Sequence, residues 1–362
     1  MKLLGRAAFI PLIVVALGFA VPVWAHKPTV TTFTYNKDIH PIFDAKCGSC
    51  HRSGGVAPMS LLTYREAFPW AVSIKNEVLN LAMPPWFVDE RVGAFKHRGA
   101  LSAKEMDTIV DWCLGGSPEG DPATSPPSPL SDDADSWLLG SPDLELAMPF
   151  AFELDADSSE AVEELVLATG LGADRTLRAI DFKPGSANIV RSATMTLGDG
   201  SEPLATWVPG QAAQVFPSGI GWRVPAGAEI RLRLHYKKTW LDEGSAVTDQ
   251  STLALYFHES NAVKLVTTLS VKVGSPHTMG KDAELVALVP ELETPVDAFS
   301  ADLVLPDGSR EALIRLYQPS PDWPRKYWLA EPVRLPSGSR VEVSVTASEP
   351  ATPAMLLDIV SR

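Results

Sequence analysis

From about Thr34 to Gly116 the apolar positions recur at helical spacing. Asn36 is placed to cap a first helix, with Pro41 in its first or second turn and Ile39, Ile42 and Phe43 facing inward. Thr63-Tyr64-Arg65-Glu66 is a capping box ahead of an apolar run. Pro69 restarts that helix, which carries Val72, Ile74, Val78 and Leu79 until Pro84-Pro85 stops it. Ser102-Ala103-Lys104-Glu105 is a second capping box. It opens a helix with Met106, Ile109, Val110 and Trp112 inward and Gly115-Gly116 at its end. From Ser117 the chain turns rich in Pro, Ser, Asp and Gly, the composition of a linker. Beyond it the period falls to two. Ile230, Leu232, Leu234 and Tyr236 share one strand face; Arg231, Arg233, His235 and Lys237 share the other. Val341, Val343 and Val345 alternate likewise, Leu253 to Phe257 and Leu265 to Val273 read as strands, and Pro306-Asp307-Gly308 is a turn. About 225 residues of short strands predict two β-sandwiches rather than one.

The pattern thus predicts a multidomain chain: a small all-α domain at 33–116, a Pro-rich linker at 117–136, and two all-β sandwiches at 137–262 and 263–362. Ahead of these, Lys2 and Arg6 precede an apolar run from Ala7 to about Ala20, and Val23-Trp24-Ala25 closes it with small residues. This is an export signal at 1–25, with cleavage leaving His26 as the new terminus; an uncleaved anchor is the alternative. The run is short for a membrane span, and no later stretch is long and apolar enough to be one. Export places the protein in the periplasm or outside a bacterial cell.

The chemistry concentrates in Cys47-Gly48-Ser49-Cys50-His51, the attachment pattern of a c-type haem. Two thiols at this spacing add across the two vinyl groups of one porphyrin edge, and the next residue lies under the ring with its imidazole toward the iron. A redox dithiol would not need His51. A zinc site would need two further ligands, and Cys113 is the one other cysteine. Three helices around this motif are the make-up of a small cytochrome c. Met83, at a helix end beside Pro84-Pro85, is the expected sixth ligand, with Met59 and then His97 behind it. Cys113 reads as a buried small hydrophobe. The net charge of −13 carries no basic stripe, which argues against nucleic acid and favours a basic redox partner, itself unidentified.

Several stretches resemble bacterial proteins in which a cytochrome c domain is fused to a copper type II, ascorbate-dependent monooxygenase-like module, similar to the core of peptidylglycine α-hydroxylating monooxygenase. They include Tyr35 to Phe43, the haem motif, Ala57 to Ala67 and Ala82-Met83-Pro84-Pro85-Trp86. Trp112 to Asp121, Ser136 to Asp143, Thr169 to Gly185, Trp207-Val208-Pro209-Gly210, Val224 to Tyr236 and Pro276 to Lys281 continue the match. The resemblance implies jelly-roll-like sandwiches after the linker and supports Met83 as an axial ligand. It also implies two copper sites, and here the sequence departs. The first histidine pair falls on Arg191-Ser192, while His235-Tyr236 remains; the second falls on His277-Thr278-Met279. After the linker there are three histidines, His235, His258 and His277, for a scheme that needs five. An arginine brings a permanent positive charge and no lone pair. A residual copper site would use His235, or His277 with Met279 and a third ligand from Met355, Met195 or His258.

Three functions follow. The first is a mono-haem c-type electron-transfer protein whose β module has lost at least its first copper site. The second is a copper monooxygenase fed with electrons by its own haem. A non-catalytic binding module pinned by haem is a third.

Overall fold

The computed structural model describes residues 31–96, 99–126, 136–198, 200, 202–260 and 263–362. The export signal, His26, His97 and the middle of the linker lie outside the described residues. The helical elements are a π-turn at Tyr35–Ile39, α1 (His40–Lys46), α2 (Tyr64–Ala67), a 3-10 turn at Phe68–Trp70, α3 (Ala71–Leu79) and α4 (Ala103–Leu114). Strands follow: β1 (Leu144–Ala147), β2 (Phe152–Leu154), β3 (Glu160–Ala168), β4 (Arg175–Lys183), β5 (Val190–Leu197), β6 (Glu202–Trp207), β7 (Gln214–Val215), β8 (Ile220–Val224), β9 (Glu229–Lys237) and β10 (Val247–Asp249). The remainder are β11 (Thr252–Phe257), β12 (Lys264–Lys272), β13 (His277–Thr278), β14 (Ala283–Glu291), β15 (Ala298–Val304), β16 (Arg310–Tyr317), β17 (Tyr327–Leu335), β18 (Arg340–Thr346) and β19 (Ala354–Ser361).

The chain is mostly β, with 40% strand against 14% helix, and this overturns the expected plan of a small all-α domain ahead of two separate sandwiches. No small all-α cytochrome domain is evident among the described residues. The helices are short, and the chain between α3 and α4 is irregular, with Trp86, Phe87, Val88 and Phe95 packed into the β module. Val88 and Phe95 bridge to Leu316 and Leu329 and are buried in the same core as β14–β18 residues. Helical periodicity located the turns, but it carries no information on whether they close a core alone. α3 ends at Leu79, ahead of the expected stop at Pro84-Pro85, with Asn80 as its C-cap and Leu81 in the left-handed region at φ +58°.

Nor are the two β halves separate sandwiches. One long sheet runs β1-β11-β4-β8-β12-β19-β14-β17 through both, with β7 added beside β4. The halves join where β8 and β12 pair in parallel, Ile220 with Lys264 and Gly221 with Leu265. The sheet β3-β9-β5-β6 packs on one half and β13-β18-β15-β16 on the other, each enclosing its own apolar core. At the joint, within the second half, Lys326 and Asp358 form an ion pair at 2.6 Å with both side chains fully buried. The Lys326 ammonium also donates to the carbonyls of Pro203 and Leu204, which ties the loop before β17 to β6.

Several local features follow the sequence pattern. Ile230, Leu232, Leu234 and Tyr236 are fully buried on one face of β9. The Ser102 box closes in both directions, and the Thr63 hydroxyl accepts from the Glu66 N–H. Asn36 is a correction: it is not a cap but lies inside the π-turn, buried, with its amide donating to the Gly120 carbonyl. On α3, Ile74 and Val78 are buried while Val72 and Leu79 are exposed.

Candidate cofactor-binding site

The end of α1 sets up the cysteine motif. Cys47 and Gly48 both donate backbone N–H groups to the Phe43 carbonyl, closing the helix. Cys50 and His51 then both donate to the Cys47 carbonyl, so the motif folds back as one tight turn. Phe43 itself is fully buried, in edge contact with Tyr35 and Trp112. The turn is therefore anchored from beneath by the helical core.

Its outer side faces the β module. Ser49 presses against Gly210, where an added Cβ would come within 2.5 Å of the serine Cβ. Gly210 also has φ +80°, so glycine serves both the turn and the close approach. The Cys50 thiol lies 3.7 Å from the Pro209 carbonyl. The stretch Trp207-Val208-Pro209-Gly210 is thus the seat on which the cysteine turn rests.

Beside the cysteine turn lies a cleft of about 370 Å³. Cys47, Cys50 and His51 line it together with Met59, Met83 and His235. Met83 arrives from a different segment, the extended chain after α3. His51 Nδ1 sits 3.2 Å from the Met59 carbonyl. A carbonyl only accepts, so Nδ1 carries the proton and Nε2 keeps its lone pair. Burial pushes the His51 pKa below its ordinary value, which keeps the ring neutral. Burial also pushes the Cys47 thiol up to about 12 and the Cys50 thiol upward, so both rest as thiols rather than thiolates. Cys47 and Cys50 do not form a disulfide.

The opposite wall comes from the β module. Arg191 occupies a bulge in β5, where the pairing with β9 shifts register between Val190 and Ser192. A bulge re-aims its side chain, and the guanidinium donates to the Val56 carbonyl. Burial holds its pKa down to about 10. His235 is buried although it lies on the outer face of β9, because the helical segment covers that end of the sheet. It bonds to Glu160 at 2.6 Å, and Lys237 reaches the same carboxylate at 3.2 Å. Asp322 and Trp323 complete the rim. Nothing in the local sequence marked these last two, which tertiary folding alone brings to the site.

The copper candidates are spread over three places. His235 lines the cleft, whereas Met279 packs into the second core and His277 sits on the β13–β18 pairing. Met195 is buried in the first core and Met355 in the second, and His258 bonds to the Ile220 carbonyl. His235 and Met195 belong to the first β half and His277, Met279 and Met355 to the second, where Met279 and Met355 share one core. Among the described residues no group of three or more His, Cys, Asp or Glu side chains is placed to hold a metal ion. Cys113 is half-buried against the helical core, its thiol pushed up to about 11 by burial.

A covalently attached porphyrin asks for two thiols on one turn, a neutral imidazole with a free Nε2, a soft ligand from another segment, an apolar wall and cations for its two carboxylates. The cleft presents each of these, with Arg191 and Lys237 as the cations.

No family model matches the chain, and no curated protein matches it. The major capsid protein of bacteriophage PM2 is similar over 59% of this chain and 97% of its own, with 11% identity and a TM-score of 0.26. A turret protein of Sulfolobus turreted icosahedral virus is similar over 60% of this chain and 99% of its own, with 9% identity and a TM-score of 0.16. An oxalate decarboxylase of Bacillus subtilis is similar over 66% of this chain and 80% of its own, with 9% identity and a TM-score of 0.16. Scores this low carry no argument about fold or function. Among the described residues no helix is long and apolar enough to cross a membrane.

Proposed function

We propose that this protein is an exported electron-transfer protein that carries one c-type haem in the cleft between the cysteine turn and the β module. The supporting observation is that Cys47, Cys50, His51 and Met83, distant in part along the chain, line one cavity. When bound, the haem supplies reversible one-electron chemistry. Cys47 and Cys50 would hold it through thioethers, each thiol adding across a vinyl group with no leaving group. His51 Nε2 and the Met83 sulfur would hold the iron. The Met59 carbonyl keeps the His51 proton on Nδ1. Met59 and Met83 both line the cleft, and Met83 arrives from a different segment, the extended chain after α3, which supports it as the soft ligand. Arg191 and Lys237 place positive charge at the wall, and the net charge of −13 favours a basic redox partner.

The resemblance to haem–monooxygenase fusions supports the same reading. Arg191 at a copper position and the three histidines left for a scheme that needs five weigh against hydroxylation. The test is expression with c-haem maturation machinery, followed by haem staining of a denaturing gel. The wild-type band should stain and the Cys47→Ser/Cys50→Ser double variant should not. A wild-type band without stain, or a stained double variant, refutes covalent attachment.

A further inference from the structure

The turn after β9 holds Trp240 and Leu241 out in water, 61% and 60% exposed. Among the described residues Trp240 is the one exposed tryptophan. Two large apolar side chains left adjacent in water forgo the gain of burial, and tryptophan is enriched at the energetic centres of interfaces. The turn is also pinned. The Thr239 hydroxyl accepts from the Leu241 N–H and donates to the Asp242 carboxylate, each at 3.2 Å. The Asn188 amide donates to the same carboxylate at 2.9 Å. The pair is thus presented on a backbone fixed in advance, which lowers the ordering cost of a contact.

Carboxylates surround the pair. The turn packs on the β2–β3 connection, where the Lys238 N–H donates to the Ser159 carbonyl and its ammonium to the Asp155 carbonyl. These segments and the β2–β10 pairing carry Glu153, Asp155, Asp157, Glu160, Asp242 and Glu243, all of them exposed except Asp242, which is half-buried. Their own cations are engaged: Lys238 is buried, and Lys237 is held by Glu160. This acidic projection adjoins the haem cleft. Lys237 and His235 line the cleft, Glu160 bonds to both, and Asp242 holds Asn188 just ahead of Arg191 in the same wall.

We propose that the Trp240–Leu241 projection docks a small basic redox protein whose cofactor edge has an apolar rim ringed by lysines. The partner's class rests on the haem reading; the surface itself does not. Trp240 and Leu241 seat on the apolar rim, and the lysines meet the surrounding carboxylates. The partner's cofactor is thereby brought beside the cleft, and one electron passes between the two cofactors with no bond made or broken. Charge weighs against the other occupants, since a second copy of this chain carries −13 and an anionic membrane is also repelled.

The test is a biosensor titration of the full chain with basic mitochondrial cytochrome c at about 20 mM ionic strength, where surface charges act over roughly 20 Å. It is run on haem-loaded protein and on the Cys47→Ser/Cys50→Ser variant. Both should bind saturably, and a rise to about 200 mM salt should weaken binding ~10-fold or more. Asp155→Asn/Asp157→Asn/Glu243→Gln should weaken it ~10-fold or more and flatten the salt dependence. The same charge change in the second β half, Glu311→Gln/Glu331→Gln/Glu349→Gln, should leave affinity within about 2-fold. Trp240→Ser should weaken binding ~10-fold at both salt concentrations. Lysozyme, basic but without a cofactor edge, should bind at least ~10-fold more weakly than the cytochrome. No saturable binding up to about 1 mM cytochrome would overturn the proposal. So would equal losses in the two triple variants, unchanged affinity in Trp240→Ser, or equal binding of lysozyme. Binding to uncharged lipid vesicles, or self-association, that Trp240→Ser abolishes would reassign the surface and overturn it as well. A chain that docks the cytochrome but takes no haem stain would refute the haem reading while supporting the surface.

Discussion

Replacing Lys326 by methionine should cost about 3–5 kcal/mol, because it leaves the buried Asp358 carboxylate without its partner. The structure sets the terms. The ammonium makes three contacts, at 2.6 Å to Asp358, 2.9 Å to the Pro203 carbonyl and 3.0 Å to the Leu204 carbonyl. It also lies 4.9 and 5.4 Å from the Trp222 and Trp328 ring centres. Methionine keeps the apolar stem among those rings but offers no donor. Asp358 retains one bond, from the Thr268 hydroxyl at 2.7 Å, too little to carry a buried charge. Spread over a unit of this size, the loss should lower the melting point by roughly 6–20 °C. Calorimetry or urea unfolding of wild type, Lys326→Met and Lys326→Met/Asp358→Leu checks this. The double variant should recover most of the loss, since a well-packed apolar pair often matches a buried ion pair. A single-variant cost below ~1 kcal/mol, the scale of a surface pair, would refute the reasoning. So would a double variant no better than the single. The consequence reaches the site, because the loop that Lys326 anchors carries Asp322 and Trp323.

Gly210→Ala should destabilise the contact between the cysteine turn and the β module by about 1–3 kcal/mol, through overpacking against Ser49 and a left-handed backbone; thermal melts and slower haem attachment report it. Ser102→Ala should cost about 1 kcal/mol through loss of the capping box on α4, measurable by urea unfolding. Asp89 anchors the irregular segment through its backbone bond to Arg315, and hydrogen bonds from Arg91 hold its carboxyl down at about 2. Its folded pKa lies below its unfolded value near 4, so its contribution is complete above about pH 4 and is lost as pH falls toward 2. Stability measured from pH 5 to 2 should fall less steeply in Asp89→Asn than in wild type; parallel curves would refute the assignment.

Much of the strand pattern was legible because alternation reports a buried face directly, as with Ile230 to Tyr236. The cysteine motif was legible because its spacing is local. The fold class was not. The pattern located α3 and α4 but did not show that Val88 and Phe95 join the β core, since a bridge to Leu316 or Leu329 leaves no local trace. The long sheet through both halves escaped for the same reason, as the β8–β12 pairing is two residues wide. At the site, Met83 was reachable from its Pro-Pro neighbours. Arg191 was visible as a departure from a resemblance, but its aim into the cleft depends on a bulge. Asp322 and Trp323 carried no motif, and only the folded chain brings them to the site.

The central claim is a haem stitched to Cys47 and Cys50 with His51 and Met83 on its iron. Absorption spectra of the oxidised and reduced protein, matured with haem, test it most directly in wild type and Met83→Ala. The account predicts a sulfur-to-iron charge-transfer band in the oxidised wild type that disappears in the variant, while the stained, covalent haem remains. A colourless wild-type protein, or a band that persists without Met83, would contradict it.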